Sequence, residues 1–365
     1  MRILQISSAT SFGGGERYVA DLTNSLHARG HDLYVAVRPR SPLIDQLRLP
    51  ASKIKTLPLR NALDVQSAHE LTRFVSRHEI EVVHAHMARD YSLVAYAARR
   101  NRNTKFIVTR HVLFPLNRLH RQTLARTHRV IAVSNAVARE LRSTRTVSDD
   151  RIAVVRNGVD VDRFARALAD FDRAEFLRSK GLPVDCLLVG SIGELRTLKR
   201  HDDFIRAAAM VAQQFPQVHF VLAGIDTSTT AEVRRQLEQL VAELHLTERF
   251  HFLGWLDEAE KLLRAMDVFV SASETESFGL AIAEAMAAGT AVVATKTEGA
   301  QEVVDDQQTG LLVPIGNPPK IAQAIANLLT HEEQRKQLGS QAQEAVATQF
   351  SLKRMVDEIE AIYTA

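Results

Sequence analysis

The sequence predicts an α/β fold made of two units, each with a parallel sheet covered by helices. Strand and helix patterns alternate along the whole chain, and the alternation restarts after a charged segment without strand character. A chain of 365 residues is also longer than one hydrophobic core usually serves. We therefore expect two domains, over 1–165 and 166–350, and a last helix over 351–365.

Short apolar runs locate the strands. We predict strands at 3–6, 33–37, 82–84, 106–109, 130–133 and 152–155 in the first half, and at 187–190, 219–223, 250–253, 268–271, 291–294 and 311–313 in the second. Residues 160–183 carry mixed charge and no strand pattern, which indicates a linker and a helix. In the segment 351–363, Met355, Ile359 and Ile362 recur at helical spacing.

The bulk properties are those of an ordinary globular protein, with 24% charged residues, 45% hydrophobic residues and a net charge of +3. The single Cys186 lies in an apolar run, which favours a small buried residue and excludes a disulfide framework. The first residues enter a strand directly, and no apolar run approaches bilayer-spanning length. We expect a cytoplasmic protein, either soluble or peripheral at the inner face of the membrane.

The segment 273–289 places two carboxylates, Glu276 and Glu284, across a change from loop to helix. Gly279 permits a close approach of the backbone, and Gly289 ends the Ala-rich helix that follows. A helix start offers amide N–H groups and a positive dipole end to a diphosphate. The apolar neighbours of Glu284 favour a functional role, although glutamate is also common on solvated helix faces.

Three further features follow predicted strands. The turn Gly13-Gly14-Gly15 can bring backbone amides to an anion, but it lacks the G-x-G-x-x-G spacing, so a nicotinamide cofactor is disfavoured. A plain tight turn is the alternative. Lys199 follows the strand at 187–190 and offers a cation to a phosphate. His111 follows the strand at 106–109, where most histidines only satisfy local hydrogen bonds.

The segment 273–289 resembles the E-x7-E motif of retaining glycosyltransferases with the GT-B fold, family 4 (glycosyl transferases group 1). Other stretches of the family match in order, namely 13–16, 109–111, 131–134, 156–160, and 299–304 leading to 310–314. The resemblance implies two Rossmann-like domains whose parallel sheets face each other across a cleft, with the C-terminal helix crossing back to the first domain. The first domain would bind an acceptor and the second a nucleotide-sugar donor.

The resemblance also implies transfer of a sugar from a nucleotide diphosphate to an acceptor hydroxyl with retention of configuration, without a metal or any other cofactor. It assigns His111, Lys199 and Glu276 to the catalytic site. It assigns donor binding to Gly14, Arg196, Lys199, Glu276, Phe278, Gly279, Leu280 and Glu284.

The family pattern around the lysine is broken at two positions. Glu194 stands where an arginine is usual, and Arg200 replaces the glycine after the lysine. Arg196 is either the substitute for the missing arginine or a solvated surface residue. A sugar-nucleotide epimerase or phosphorylase of the same fold and a non-catalytic nucleotide-sugar-binding protein are the alternatives to a transferase.

Residues 99–145 contain many lysines and arginines but one acid, Glu140. Arg118, Arg121 and Arg126 alternate with leucines there, a basic amphipathic pattern that suits an anionic membrane surface or a phosphorylated glycolipid. A solvated helix face is the alternative. No nucleic-acid module is recognisable, so we expect no nucleic-acid partner. We expect a cell-surface glycan or glycolipid acceptor, such as lipopolysaccharide.

Overall fold

The computed structural model describes residues 1–116, 118–228 and 230–365, with the side chains of Arg118 and Leu119 outside that description. The chain forms two compact units. Unit 1 comprises Met1–Gly158 and Leu352–Ala365, and unit 2 comprises Val159–Ser351.

The strands of unit 1 are β1 (Arg2–Ser7), β2 (Asp32–Val37), β3 (Ile54–Thr56), β4 (Val82–Ala85), β5 (Lys105–Arg110), β6 (Arg129–Ala132) and β7 (Ile152–Val154). Within the described residues they form one seven-stranded sheet in the order β3-β2-β1-β4-β5-β6-β7, with every neighbouring pair parallel. The helices before the crossing to unit 2 are α1 (Gly14–Ala28), α2 (Val65–Arg77), α3 (Tyr91–Arg100), α4 (Arg118–Leu124) and α5 (Asn135–Ser143).

The strands of unit 2 are β8 (Leu187–Ile192), β9 (Val218–Ala223), β10 (Phe250–Gly254), β11 (Val268–Ser271), β12 (Ala291–Thr295) and β13 (Leu311–Val313). In the described part of this unit they form a six-stranded parallel sheet in the order β10-β9-β8-β11-β12-β13. Its helices are α6 (Val161–Leu168), α7 (Arg173–Ser179), α8 (His201–Gln214), α9 (Glu232–Glu243), α10 (Ala259–Ala265), α11 (Leu280–Ala287), α12 (Ala300–Val303), α13 (Pro318–Thr330) and α14 (Glu332–Gln349).

The predicted fold class is confirmed, and each predicted strand coincides with an observed strand. Strand β3 was not predicted, because its three residues are only partly buried at the sheet edge and show no apolar run. The division between the units lies after Gly158 rather than after residue 165. The reason is that α6 packs on α10 of unit 2, with Phe164 buried.

Helix α15 (Leu352–Thr364) returns to unit 1, as predicted for the C-terminal helix. It packs on α1 through a buried stripe that includes Val356 and Ile359, and each such side chain contributes about 2 kcal/mol by leaving water. Glu360 reinforces the contact, because its two carboxylate oxygens lie 2.6 Å from Arg29 Nη1 and 2.6 Å from His31 Nε2.

The strand order changes direction between β1 and β4 in unit 1 and between β8 and β11 in unit 2. In parallel α/β sheets, ligands bind beyond the carboxyl ends of the strands at such points. The glycine turn 13–15 follows β1, the loop with Lys199 follows β8, and the loop with Glu276 follows β11. The predicted motifs therefore lie at the switch point of each sheet. Across the described residues, no helix combines the length and hydrophobicity needed to cross a bilayer.

Candidate active site

The loop between β11 and α11 contains the first glutamate of the predicted motif. Its last residue, Gly279, has a φ of 94°, a left-handed conformation that a residue with a side chain adopts only at a cost. α11 begins at the next residue, Leu280, and its first turn directs backbone N–H groups toward the loop. Phe278 is buried and packs edge to face against Phe350, which anchors the loop. The loop thus holds a helix start next to a carboxylate.

Lys199 and Glu276 form the central ion pair of this region. The Nζ atom of Lys199 lies 2.6 Å from Glu276 Oε1, and the Ser273 hydroxyl donates to the same oxygen at 2.7 Å. The amide of Glu274 donates to the carbonyl of Leu198 at 2.9 Å, which joins the two loops through their backbones. The structure therefore brings together two predicted catalytic residues from separate strand ends.

Arg200, which stands in place of the family glycine, has a φ of 47° in the left-handed region. Its guanidinium lies 2.5 Å from the Asp203 carboxylate and 3.7 Å from Glu274. The hydrogen bond to Asp203 is the main cause that raises the pKa of Arg200. These contacts offset the strain of an arginine in this left-handed conformation.

Arg196 lies apart from this ion pair. It is 57% exposed, it faces Glu194 at 3.5 Å, and it lines a cavity of about 380 Å³ with residues of α8 and α9. Glu194 also accepts a hydrogen bond from the Thr227 hydroxyl. The hypothesis that Arg196 replaces the missing arginine stays a prediction.

Glu284 projects from α11 into a group of charged side chains that the sequence analysis missed. Arg163, on α6, lies 3.4 Å from Glu284 Oε1 and 2.8 Å from Glu260 Oε1. Asp160 caps α6 by accepting from the amide of Arg163 at 2.9 Å, which fixes the position of the arginine backbone. A partly buried carboxylate on an otherwise apolar helix is stabilised by such a partner. The apolar neighbours of Glu284 indicated that this carboxylate needs a partner, but no pattern in the chain pointed to Arg163 as that partner.

The glycine that opens the stretch 299–304 packs directly on the Glu276 loop. A Cβ atom at Gly299 would lie 2.5 Å from the carbonyl oxygen of Glu276 and 2.7 Å from the amide nitrogen of Phe278. The Gly299 amide donates to the same carbonyl at 3.1 Å. Only a residue without a side chain fits there, which explains the glycine in this stretch.

In unit 1, the glycine turn and His111 lie side by side. Gly13 caps α1, with its amide donating to the Glu16 carboxylate at 3.0 Å. A Cβ atom at Gly15 would lie 4.0 Å from the His111 ring, and the ring of Tyr18 meets the same histidine edge to face at 4.7 Å. Gly14 is the first residue of α1, between these contacts.

His111 belongs to a group of three neutral histidines, of which His84 and His86 are buried. Part of the residue reaches the surface, but burial of the ring, together with the charge of Arg110, lowers its pKa to about 3. Burial likewise lowers the pKa of His84 to about 3 and places that of His86 well below its usual value. Neutral imidazoles with one N–H and one lone pair each therefore occupy this edge of the sheet.

The basic residues named in the sequence analysis lie elsewhere in unit 1. Arg121 lines a cavity of about 560 Å³ together with Arg142, Arg145 and Arg151. This cavity lies at the amino ends of β6 and β7, whereas His111 follows the carboxyl end of β5. Because these strands are parallel, the two regions lie at opposite ends of the strands. Arg126 is exposed just before β6, and the side chain of Arg118 lies outside the described residues.

The described residues contain no group of three or more His, Cys, Asp or Glu side chains arranged to hold a metal ion. Cys186 is buried, as predicted, and burial raises the pKa of its thiol.

Two family models match the chain. The model described as Glycosyltransferase Family 4 matches residues 12–163, and the model described as Glycosyl transferases group 1 matches residues 172–345. The N-acetyl-alpha-D-glucosaminyl L-malate synthase of Bacillus anthracis is 28% identical, over 82% of this chain and 78% of the relative. The lipopolysaccharide core biosynthesis glycosyltransferase LpsE of Rhizobium meliloti is 27% identical, over 94% of each chain.

The chain spans only about half the length of several other curated relatives, which it matches at 31–35% identity. Among solved structures, Anabaena Alr3699/HepE in complex with UDP-glucose superposes with a TM-score of 0.87 at 22% identity, covering 100% of this chain and 99% of that one. At this identity the similarity shows a shared fold.

The matched models and the two parallel-sheet units define the class of the protein, which is a glycosyltransferase. Within that class, the chain belongs to the GT-B glycosyltransferases of the family 4 type, as the order of its motifs indicated.

Proposed function

We propose that this glycosyltransferase moves a sugar from a nucleoside diphosphate to a hydroxyl of a cell-surface glycan or glycolipid, with retention of anomeric configuration. The observation that carries the proposal is the ion pair between Lys199 and Glu276 next to the start of α11. It combines a cation, a carboxylate and helix amides at the switch point of the unit 2 sheet. These are the groups that a sugar diphosphate requires.

In the proposed donor site, Glu276 accepts hydrogen bonds from sugar hydroxyls, while Lys199 and the amides of Phe278, Gly279 and Leu280 hold the diphosphate. Lys199 then neutralises the charge that develops on the leaving diphosphate. Glu284 accepts from the ribose hydroxyls, with Arg163 fixing its carboxylate at 3.4 Å. UDP-glucose is bound by the structural neighbour HepE, which supports a nucleotide sugar as the donor class.

We assign His111 and Gly14 to the unit 1 side of the reaction. Both lie at the carboxyl edge of the sheet, where the ring of His111 is neutral and is held by its neighbours. A neutral imidazole can accept a hydrogen bond from a sugar hydroxyl without adding charge to the site. The proposed reaction uses no resident metal, because the lysine and the helix amides supply the positive charge that a metal would otherwise provide.

The proposed acceptor is a lipopolysaccharide or a related glycolipid. LpsE, which matches almost the whole chain, is by name a lipopolysaccharide core glycosyltransferase, and this supports the acceptor class. The arginines around the 560 Å³ cavity lie at the opposite edge of the sheet from His111, so we propose that they attract an anionic membrane surface rather than the reacting hydroxyl. The protein would then act as a peripheral enzyme at the cytoplasmic face.

A ligand panel tests the donor site. Thermal unfolding is measured with UDP, GDP, ADP and their glucose conjugates, because a ligand that binds only the native state raises the melting temperature. We expect one nucleotide series to stabilise the wild type, and we expect Glu284→Ala to lose this effect. If no nucleotide shifts the wild-type melting temperature at millimolar concentration, the proposed donor class is wrong.

Product analysis tests the reaction itself. A transferase releases free nucleoside diphosphate in step with acceptor glycosylation, and NMR of the product reports the anomeric configuration. An epimerase would convert the nucleotide sugar without an acceptor, a phosphorylase would require phosphate, and a non-catalytic binder would show no turnover. An inverted product would contradict the retaining mechanism while leaving the transfer in place.

Vesicle co-sedimentation tests the membrane proposal. Vesicles with phosphatidylglycerol should retain the protein at low salt, whereas vesicles of phosphatidylcholine alone should not. Arg121→Gln with Arg145→Gln should weaken this retention, and an exposed substitution in unit 2, Arg178→Gln, is the control. Equal binding to both vesicle types would rule out the electrostatic attraction.

A further inference from the structure

A buried hydrogen-bond network connects His111 to helix α15 through residues from five elements of unit 1. Its members are Gln5, Tyr18, His84, His86, Thr109, His111 and Tyr363. We propose that Gln5 and Tyr363 are positioning residues that hold His111 with its proton on Nε2 and leave Nδ1 to accept a hydrogen bond from a sugar hydroxyl. The inference deepens the proposed function, because it rests on the assignment of His111 to the reaction site.

The amide of Gln5 sets the direction of the network. Its Nε2 donates to the Tyr363 hydroxyl oxygen at 3.1 Å, and its Oε1 lies 2.8 Å from His86 Nε2. A carbonyl oxygen only accepts, so His86 must carry its proton on Nε2. This direction follows from the orientation of the Gln5 amide, which points Nε2 at Tyr363 and Oε1 at His86.

The proton position on His86 determines that on His111. Because burial keeps His86 neutral, its Nδ1 has a lone pair and can only accept. The Nδ1 of His86 lies 3.3 Å from Nε2 of His111, so His111 is the donor and carries its proton on Nε2. His111 is neutral as well, which leaves its Nδ1 unprotonated.

A second branch keeps Tyr363 in its role as an acceptor for Gln5. The hydroxyl hydrogen of Tyr363 is directed to His84 Nδ1 at 2.6 Å, and His84 Nε2 donates in turn to the Thr109 hydroxyl oxygen at 2.7 Å. The Tyr18 hydroxyl lies 3.3 Å from the same Thr109 oxygen. Reversing the His84 branch alone would leave the hydroxyl hydrogen of the buried Tyr363 without an acceptor in the network, so the two branches favour the same direction.

Helix α15 completes the hydrogen-bond network by contributing Tyr363. Tyr363 reaches the strand ends only because α15 docks on unit 1, where the ring is buried and its pKa is raised well above its usual value. The groups that face the imidazoles are the neutral hydroxyls of Tyr18, Thr109 and Tyr363, the Gln5 amide and the cation Arg110. Among the described residues, no carboxylate is hydrogen-bonded to His84, His86 or His111. The tautomers of these histidines are therefore not selected by an acidic side chain.

The proposal is tested by 15N NMR of the full chain labelled at histidine, measured at pH 8 together with steady-state kinetics. The wild type should show His111 as a single tautomer protonated on Nε2. In Tyr363→Phe the Gln5 amide loses its acceptor partner, so His111 should populate both tautomers. We expect kcat to fall between about ten-fold and a hundred-fold. KM for the donor should change much less than kcat, because the groups proposed to hold the nucleoside diphosphate, Lys199, Glu284 and the amides at the start of α11, lie in unit 2.

Two further variants serve as an independent check and as a control. Gln5→Met removes the amide without touching α15, and it should give the same NMR and kinetic changes as Tyr363→Phe. Tyr34→Phe is the matched control, because that phenol bonds to Asp32 and Lys53 outside the network. It should leave kcat and the His111 signals unchanged.

Three results would overturn the inference. A wild-type His111 protonated on Nδ1 would contradict the assigned direction. An unchanged tautomer in Gln5→Met would show that the amide does not control it. A changed tautomer with unchanged kcat would remove the positioning role. In each case the nucleotide panel would still report independently on the proposed donor site, which separates this failure from failure of the proposed function.

Discussion

Replacement of Lys199 by alanine tests whether the ion pair at the unit 2 switch point serves catalysis or stability. The lysine side chain is 30% exposed and that of Glu276 is 14% exposed, so water screens the pair in part. Ser273 still donates to the same glutamate oxygen after the substitution. We therefore expect the free energy of unfolding to fall by only about 1 kcal/mol.

The effect on turnover should be much larger. Loss of a preorganised positive group at a leaving diphosphate costs about 10²–10³-fold in kcat, or roughly 2.7–4 kcal/mol in the activation barrier. Initial rates at saturating donor and acceptor measure this effect, and thermal unfolding of the same samples measures the stability change.

Lys53 provides a matched control in unit 1. Its Nζ lies 2.6 Å from Asp32 Oδ1, the same distance as in the Lys199 pair, and its side chain is 29% exposed. Lys53→Ala should lose a similar amount of stability and keep its kcat. If Lys199→Ala retains kcat within about three-fold of wild type, or if both variants lose activity equally, the catalytic assignment of Lys199 is refuted.

Three further predictions address the remaining parts of the site. Gly299→Ala should push the Glu276 loop aside, lowering stability by about 1–3 kcal/mol and raising the donor KM, as measured by unfolding and kinetics. Arg163→Gln should weaken nucleotide binding by roughly ten-fold in calorimetry with little change in saturated turnover; equal affinity would exclude its role in orienting Glu284. Acidification should destabilise the protein, because His84 stays neutral in the folded state while the unfolded chain takes up a proton below about pH 6.5. The stability contributed by neutral His84 is fully present above pH 6.5 and is lost as the pH falls toward 3. At pH 5 the loss in the free energy of unfolding for His84 alone is about 2 kcal/mol. Urea titrations with equal midpoints at pH 7.5 and pH 5 would contradict this prediction.

The strand framework and the main motif loops could be predicted from the sequence because their signals are local. Buried parallel strands appear as apolar runs, and the turn 13–15 and the loops with Lys199 and Glu276 follow such runs directly. β3 could not be found in this way, since a short, half-exposed edge strand buries too little apolar surface to leave a pattern.

The partners of the site residues could not be predicted, because they come from distant positions and ordinary contexts. Arg163 lies 121 residues before Glu284, and Gln5 lies 358 residues before Tyr363. A single glutamine within a strand has no periodicity that reports its contacts. Arg200 is a different case: the departure from glycine was visible in the sequence, but its left-handed backbone and its bonds to Asp203 and Glu274 were not.

The return of α15 to unit 1 affects the order in which the chain can fold during synthesis. Residues 159–351 form a continuous segment, so unit 2 has all of its sequence before α15 leaves the ribosome. Unit 1 is translated first but is completed only when α15 emerges, and until then Gln5 and His84 lack the Tyr363 hydroxyl as a hydrogen-bond partner. The nascent amino-terminal half should therefore remain a client for chaperones longer than the segment made after it.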